Sequence, residues 1–192
     1  MFHCILKLAM TTVISMLRGV NVGGHHKIKM DALKALYESL GLDRPQTFIQ
    51  SGNVVFQTKA RSLPPLAKQI EDAIERTFGF RSDVLCRTTA ELRDVIARNP
   101  FATRQDINPG KLLVVFLSAG LDGDARKRLL QMPLVPEELR PDGSELYIYF
   151  PNGQARPKLS MAHVEKAHKK LWTGRNWNTV LKLLEIAEAM ER

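Results

Sequence analysis

Thr47-Phe48-Ile49-Gln50-Ser51-Gly52-Asn53-Val54-Val55-Phe56-Gln57 carries the strongest fold signal in the chain. Two β-rich runs flank Ser51-Gly52-Asn53, where glycine and asparagine tolerate the positive φ of a tight turn. The stretch therefore predicts a hairpin with strands over 47–50 and 54–57. Upstream, the apolar run Val13–Leu17 reads as a strand. Leu33, Leu36, Tyr37 and Leu40 then recur at helical spacing, with Asp31 as the expected cap and Gly41 as the stop. Downstream, Pro64 stands near a first turn, and Leu66, Ile70, Ala73, Ile74 and Phe78 form an amphipathic stripe that ends at Gly79. Asp83–Arg87 reads as a fourth strand. The order over residues 12–87 is β-α-β-β-α-β, the split arrangement of ferredoxin-like folds.

Beyond it, Thr88 and Glu91 have capping-box spacing ahead of Leu92, Val95 and Ile96, and Asn99-Pro100 closes that linking helix. Leu112–Leu117 reads as a strand, Asp122 caps a helix carrying Ala125, Leu129 and Leu130, and Asp142-Gly143 leads into alternating Leu146, Ile148 and Phe150. Ser160 opens a helix expected to run through Leu171, and Trp177, Val180, Leu181, Leu184 and Ala187 stripe the last one. The expected class is α+β: a ferredoxin-like unit over 10–88, a linking helix and loop over 89–110, and a second, related unit over 111–192. Met10 is a second candidate start, which would leave residues 1–9 as an extension.

The strand at Val13–Leu17 runs into Arg18-Gly19-Val20-Asn21-Val22-Gly23-Gly24, and strand, glycine-rich turn, helix is a geometry that points backbone N–H groups at an anion. Gly19 and Gly24 have the spacing of a nucleotide triphosphatase loop, but His25 and His26 occupy the places of its lysine and hydroxyl, which excludes that chemistry. The topology sets this loop beside the hairpin turn, so Arg18, Asn21, Gln50, Ser51 and Asn53 should cluster, with Arg81 nearby.

The 192 residues carry a net charge of +8. Its distribution is uneven, since residues 151–182 alone carry seven basic side chains against one acidic. Arg156, Lys158, Lys166, Lys169, Lys170, Arg175 and Lys182 form a footprint that suits polyanions. Within it, Thr173-Gly174-Arg175-Asn176-Trp177-Asn178-Thr179 is chemically dense. Asn176 or Thr173 can cap the final helix, and Arg175 would strengthen its preference for an anion. Lys158-Leu159-Ser160 opens the preceding helix in the same way.

Several classes are excluded. Cys4 and Cys86 are the only cysteines and belong to no zinc pattern. Two thiols suit a reducing cytoplasm, and no membrane span is expected. His163 and His168 are five apart and do not share a helix face as zinc ligands would. No nucleophile elbow, deaminase pattern or dinucleotide fingerprint occurs, so no metal and no cofactor is expected. The third and fourth strands lack the exposed rings of an RNA-recognition module.

Leu17-Arg18-Gly19-Val20-Asn21-Val22-Gly23-Gly24 with Lys29-Met30 and Leu33, together with Ile49-Gln50-Ser51-Gly52-Asn53-Val54-Val55-Phe56, resembles the domain of unknown function 1697 family. So do Arg87-Thr88 with Glu91-Leu92, Asn99-Pro100-Phe101, and Arg175-Asn176-Trp177-Asn178-Thr179-Val180. The resemblance spans residues 10–185 and implies a compact, bacterial-type cytoplasmic protein of two related α+β subdomains, with no established activity. Pro157 stands where the family pattern has a serine before the Lys-Leu pair.

Three readings follow. The first is a binding protein for a phosphate-bearing ligand, nucleic acid included, whose candidate residues are Arg18, Gly19, Asn21, Gly23, Gly24, Gln50, Ser51, Asn53, Lys158, Arg175, Asn176 and Asn178. The second is an enzyme on a small anionic substrate, with Arg18 and Arg175 holding the anion and His25 or His26 handling a proton. The third is a structural domain in which Asn21, Gln50, Asn53 and Asn178 are buried hydrogen-bonding groups.

Overall fold

The structure is a computed structural model that describes residues 10–154 and 157–192. The extension expected over 1–9 lies outside the described residues.

Four strands, β1 (Thr11–Leu17), β2 (Asp43–Phe48), β3 (Asn53–Thr58) and β4 (Val84–Thr88), form an antiparallel sheet in the order β2-β3-β1-β4. Helix α1 (Met30–Ser39) joins β1 to β2, and α2 (Leu63–Phe78) joins β3 to β4. That is the ferredoxin-like order expected from the hairpin. After β4 the chain enters α3 (Thr89–Ala97), where the Thr88–Glu91 capping box is present in both directions.

The second unit repeats the whole plan. Strands β5 (Leu112–Leu117), β6 (Glu138–Asp142), β7 (Glu145–Tyr149) and β8 (Trp172–Asn176) form a sheet ordered β6-β7-β5-β8, with α4 (Gly123–Leu130) and α5 (Met161–Ala167) as its connections. Here too the fourth strand runs straight into a helix, α6 (Trp177–Glu191).

Packing explains why Val13–Leu17 of β1, apolar but for the buried Ser15 bonded to Tyr37, and the whole of β5 do not alternate with polar residues. Val13 and Leu17 face α1 and α2 with Val54, Phe56, Tyr37 and Ile70, while Ile14 and Met16 face the other way. In β5, Leu113, Val115 and Leu117 pack toward α4 and α5, and Val114 and Phe116 face inward. The inward sides of both sheets meet on α3 and α6 in one core holding Leu92, Val95, Trp177, Val180, Leu183 and Ala187. A strand buried on both faces has no polar side to show water. For the same reason neither sheet offers an open face on which nucleic-acid bases could stack.

Local expectations shift in four places. Lys29, not Asp31, is the N-cap of α1, so Asp31 lies in the first turn. The first hairpin turn falls over 49–52, one step earlier than its glycine suggests. Helix α5 ends at Ala167 instead of Leu171. Finally, Trp172–Asn176 is a strand. Its Gly174 and Arg175 carry little intrinsic strand preference, and extended backbone is imposed by pairing along β5 from Leu117↔Trp172 to Leu113↔Asn176.

Candidate functional site

β1, the β2–β3 turn and the segment entering β4 all end at one edge of the first sheet. Leu17 N donates to Gly52 O (2.9 Å), and Arg18 N to Asp83 O (2.9 Å). Gly52 makes the first contact feasible: its φ is +69°, and a Cβ there would lie 2.7 Å from Leu17 Cβ.

Beyond Leu17 the glycine-rich loop folds over the hairpin turn and is fastened by one side chain. Asn21, in the left-handed region at φ 57°, donates through Nδ2 to Ile28 O (3.0 Å) and Gln50 O (2.8 Å) and accepts from Ile28 N (2.9 Å). Gly19, Gly23 and Gly24 also have positive φ, and each is exposed.

Arg175 fastens the same structure from beneath. It is 7 % exposed. Nε donates to Asn53 Oδ1, Nη1 to Thr173 Oγ1 (2.8 Å) and Gly174 O (2.7 Å), and Nη2 to Leu17 O (2.7 Å) and Ser51 O (3.2 Å). A guanidinium has five N–H groups, and all five are occupied. Burial without a carboxylate beside it pulls the group's pKa down to about 10. Asn53, wholly buried, spends its amide on Phe48 O (3.2 Å) and Ser51 Oγ (2.8 Å).

The candidate residues therefore divide into distinct places. Gly19, Asn21, Gly23, Gly24, Gln50 and Ser51 form the loop end of the first unit. Arg175 and Asn53 meet directly below it, so the two motif groups do come together, through a clasp with no guanidinium donor left for a ligand. Arg18 lies apart at the junction with α5, bonded to Glu165 (2.9 Å), 3.8 Å from Asp83 and stacked 4.4 Å over Trp172. Lys158 is exposed elsewhere, its backbone N–H on Glu137 Oε1 (3.1 Å). Asn176 caps α6 by accepting from Asn178 N (3.0 Å) and donates to Gly110 O (2.8 Å), while Asn178 is exposed. Arg81 pairs with Glu71.

Facing solvent at the loop end is a cleft of about 470 Å³ lined by Asn21, Gly24, Lys27, Ile28, Lys29, Met30 and Gln50. Among the described residues, neither Lys27 nor Lys29 has a carboxylate within ion-pair distance, and no side chain caps the start of α1. Two apolar side chains stand out in the two loops that form this end, Val22 at 64 % and Ile49 at 50 % exposure. Ile49 is also held at φ 47°, where a β-branched residue is strained. His26 is stacked on Phe80 (4.4 Å between centroids), and His25 is exposed. Lys27, Lys29, Val22 and Ile49 are not among the candidates expected from the sequence. The available signal was Lys27-Ile28-Lys29, an alternating basic pair just ahead of a helix.

Among the described residues there is no group of three or more His, Cys, Asp or Glu side chains placed to hold a metal ion. Nor is any helix there long and apolar enough to cross a membrane.

A family model described as "Protein of unknown function (DUF1697)" matches residues 10–147. The chain belongs to this family. The DUF1697 match covers all of the first unit and the second as far as β7. Among solved structures, the conserved bacterial protein SP0830 from Streptococcus pneumoniae superposes with a TM-score of 0.69 at 22 % identity, over 93 % of this chain and 99 % of that one. Identity at that level carries the fold alone. The search of curated proteins finds no match.

Proposed function

We propose that this DUF1697 protein binds a phosphate-bearing small molecule with an apolar body, of the nucleotide class, at the loop end of its first unit. The observation that carries the reading is the cleft flanked by Lys27 and Lys29, two cations that no carboxylate neutralises within ion-pair distance among the described residues. A lysine pair at the mouth of a cleft suits phosphate oxygens. Val22 and Ile49, exposed on the loops that build this end, supply apolar surface for the rest of the ligand. Asn21 and Arg175 hold Gln50 and Ser51 by their carbonyls on either side of the turn. Ile49 is thus kept in its strained conformation by neighbours fixed from below. The uncompensated charge of Arg175 adds positive potential from the interior.

The test is thermal unfolding with inorganic phosphate, sugar phosphates and nucleotides. A ligand present at about a hundred times its Kd stabilises the native state by about 2.7 kcal/mol, a rise of roughly 5–10 °C for a chain of this size. Lys27→Ala/Lys29→Ala should abolish the rise. Val22→Ala/Ile49→Ala should reduce it for nucleotides and leave any phosphate response alone. The proposal fails if no phosphate compound raises the midpoint, or if the rise survives in the double lysine variant.

A further inference from the structure

A second cationic recess lies on the other unit, separate from the loop end and independent of the reading above. Helices α4 and α5 flank a cleft of about 440 Å³ lined by Arg128, Leu129, Met132, His163, Lys166, Ala167 and Lys169. The spacing His163, Lys166, Lys169 advances three residues at a time, which brings the first two onto one face of α5 and continues their line past its end. Arg128 stands on the opposite wall. Ser160 N donates to His163 Nδ1 (3.2 Å), so in the neutral ring the hydrogen resides on Nε2 and that edge is a donor.

No carboxylate lines the recess. The nearby acids are committed elsewhere or stand apart: Asp122 accepts from Ala125 N (2.6 Å), Glu165 pairs with Arg18, and Asp124, one turn before Arg128, makes no ion pair with it. Arg126 and Lys127 on α4 and Lys170 after α5 are further exposed cations outside the lining, Lys170 in an adjoining cleft that also holds Asp83 and Glu165. Among the described residues, none of these six cations has an ion-pair partner within 4.0 Å.

We propose that this recess binds the phosphate backbone of single-stranded nucleic acid. Three unneutralised cations, Arg128, Lys166 and Lys169, line the recess, more than one small phosphate requires and a match for a repeating polyanion. Helices of 8 and 7 residues make walls only about 10–12 Å long at 1.5 Å per residue, room for a short run of one strand rather than for a duplex. A bilayer, being flat, would meet protruding groups, whereas Arg128, Lys166 and Lys169 line a concavity over a floor that includes buried Leu129. With no aromatic side chain besides His163 in the lining, contacts go to phosphates and not to bases, so sequence preference is weak.

The experiment is fluorescence anisotropy of labelled DNA and RNA single strands of about 12 nucleotides, titrated with the full chain from roughly 25 to 200 mM salt. Three phosphate contacts predict a slope of log K on log salt of about −2 for a single strand. Lys166→Glu/Lys169→Glu should weaken binding at low salt by at least about tenfold and bring the slope to about −0.7. Both lysines are exposed, so the fold should be kept, which circular dichroism checks directly. Lys27→Ala/Lys29→Ala should bind oligonucleotide as the parent does. The proposal is overturned if no strand binds at the lowest salt, if the α5 variant binds undiminished, or if the loop-end variant abolishes binding. Capture by phosphatidylglycerol vesicles without oligonucleotide binding would overturn it equally, making the face a membrane contact.

Discussion

Replacing Arg175 with methionine keeps most of the side-chain volume and removes the guanidinium that ties the second sheet to the first. Asn53 Oδ1, Leu17 O, Ser51 O and Gly174 O would lose their donor, while the Thr173 hydroxyl can turn to another partner. At about 2 kcal/mol for each buried acceptor left without a hydrogen bond, the gross loss is about 8 kcal/mol. Against this, the buried charge itself is unfavourable: its pKa falls from 12.5 to about 10, worth about 3 kcal/mol at 1.36 per unit. The net expectation for Arg175→Met is a loss of about 5 kcal/mol, or 3 to 5 if the carbonyls relax toward water. Arg175→Lys retains the charge but not the planar fork, and one ammonium cannot reach acceptors on Asn53, Leu17, Ser51 and Gly174 together. It should lose at least about 3 kcal/mol. Urea unfolding followed by tryptophan fluorescence reports directly, since Trp172 and Trp177 flank the clasp, and far-UV circular dichroism provides the second probe. A loss below about 1 kcal/mol for methionine, or a lysine variant as stable as the parent, would refute the assignment of Arg175 as the fastening of the two units.

Two further outcomes are expected. Gly52→Ala adds a methyl 2.7 Å from Leu17 Cβ in backbone at φ +69° and should cost about 2–4 kcal/mol. Gly19→Ala, at φ +71° but with nothing within 4 Å of the added carbon, should cost only the backbone term of about 1–2 kcal/mol, and equal losses in urea melts would count against the close approach at Gly52. Burial raises the Cys86 thiol from 9.0 to about 12. The unfolded chain therefore gives up this proton first, and the stability it confers is complete below pH 9 and drains away as the pH rises to 12. Between pH 8 and pH 10 the parent should lose about 1.4 kcal/mol more than Cys86→Ala, before Tyr37 and Tyr147, whose pKa values burial also raises, add losses of the same sign. Parallel pH profiles for the two proteins would contradict the burial argument.

The first unit could be read from the sequence because its signals are local. Val13–Leu17, the turn around Gly52, the stripe from Leu66 to Phe78 and the left-handed stop at Gly79 each carry their own instruction. The capping box at Thr88 and Glu91 is of the same kind. In the second unit the helix through Leu171 and the missing strand at Trp172–Asn176 come from one cause. Lys169-Lys170 and Gly174-Arg175 say little about backbone, and the edge of β5 decides the conformation of Trp172–Asn176. The clustering of Asn21 with Gln50 was likewise legible from topology, because it needed only the strand order. The roles of Lys27 and Lys29 were not, since what distinguishes them is the absence of a neighbouring carboxylate in space.

Local signals in the sequence set the element order of the first unit, the apolar runs at Val13–Leu17 and Leu112–Leu117, and a loop end rich in glycine and amide side chains. Tertiary packing set the second unit's repeat of the whole topology and the place of α3 and α6 between the sheets. It alone decided that Arg175 is an interior group. Its partners Asn53 and Leu17 are 122 and 158 residues away along the chain. A basic residue in a polar segment reads as a surface charge until the other half of the molecule supplies oxygens for three of its five N–H groups, the other two staying on Thr173 and Gly174. Hydrogen bonding to those distant oxygens, against the cost of burying the charge, separates a structural arginine from a binding one, and no pattern along the chain encodes it.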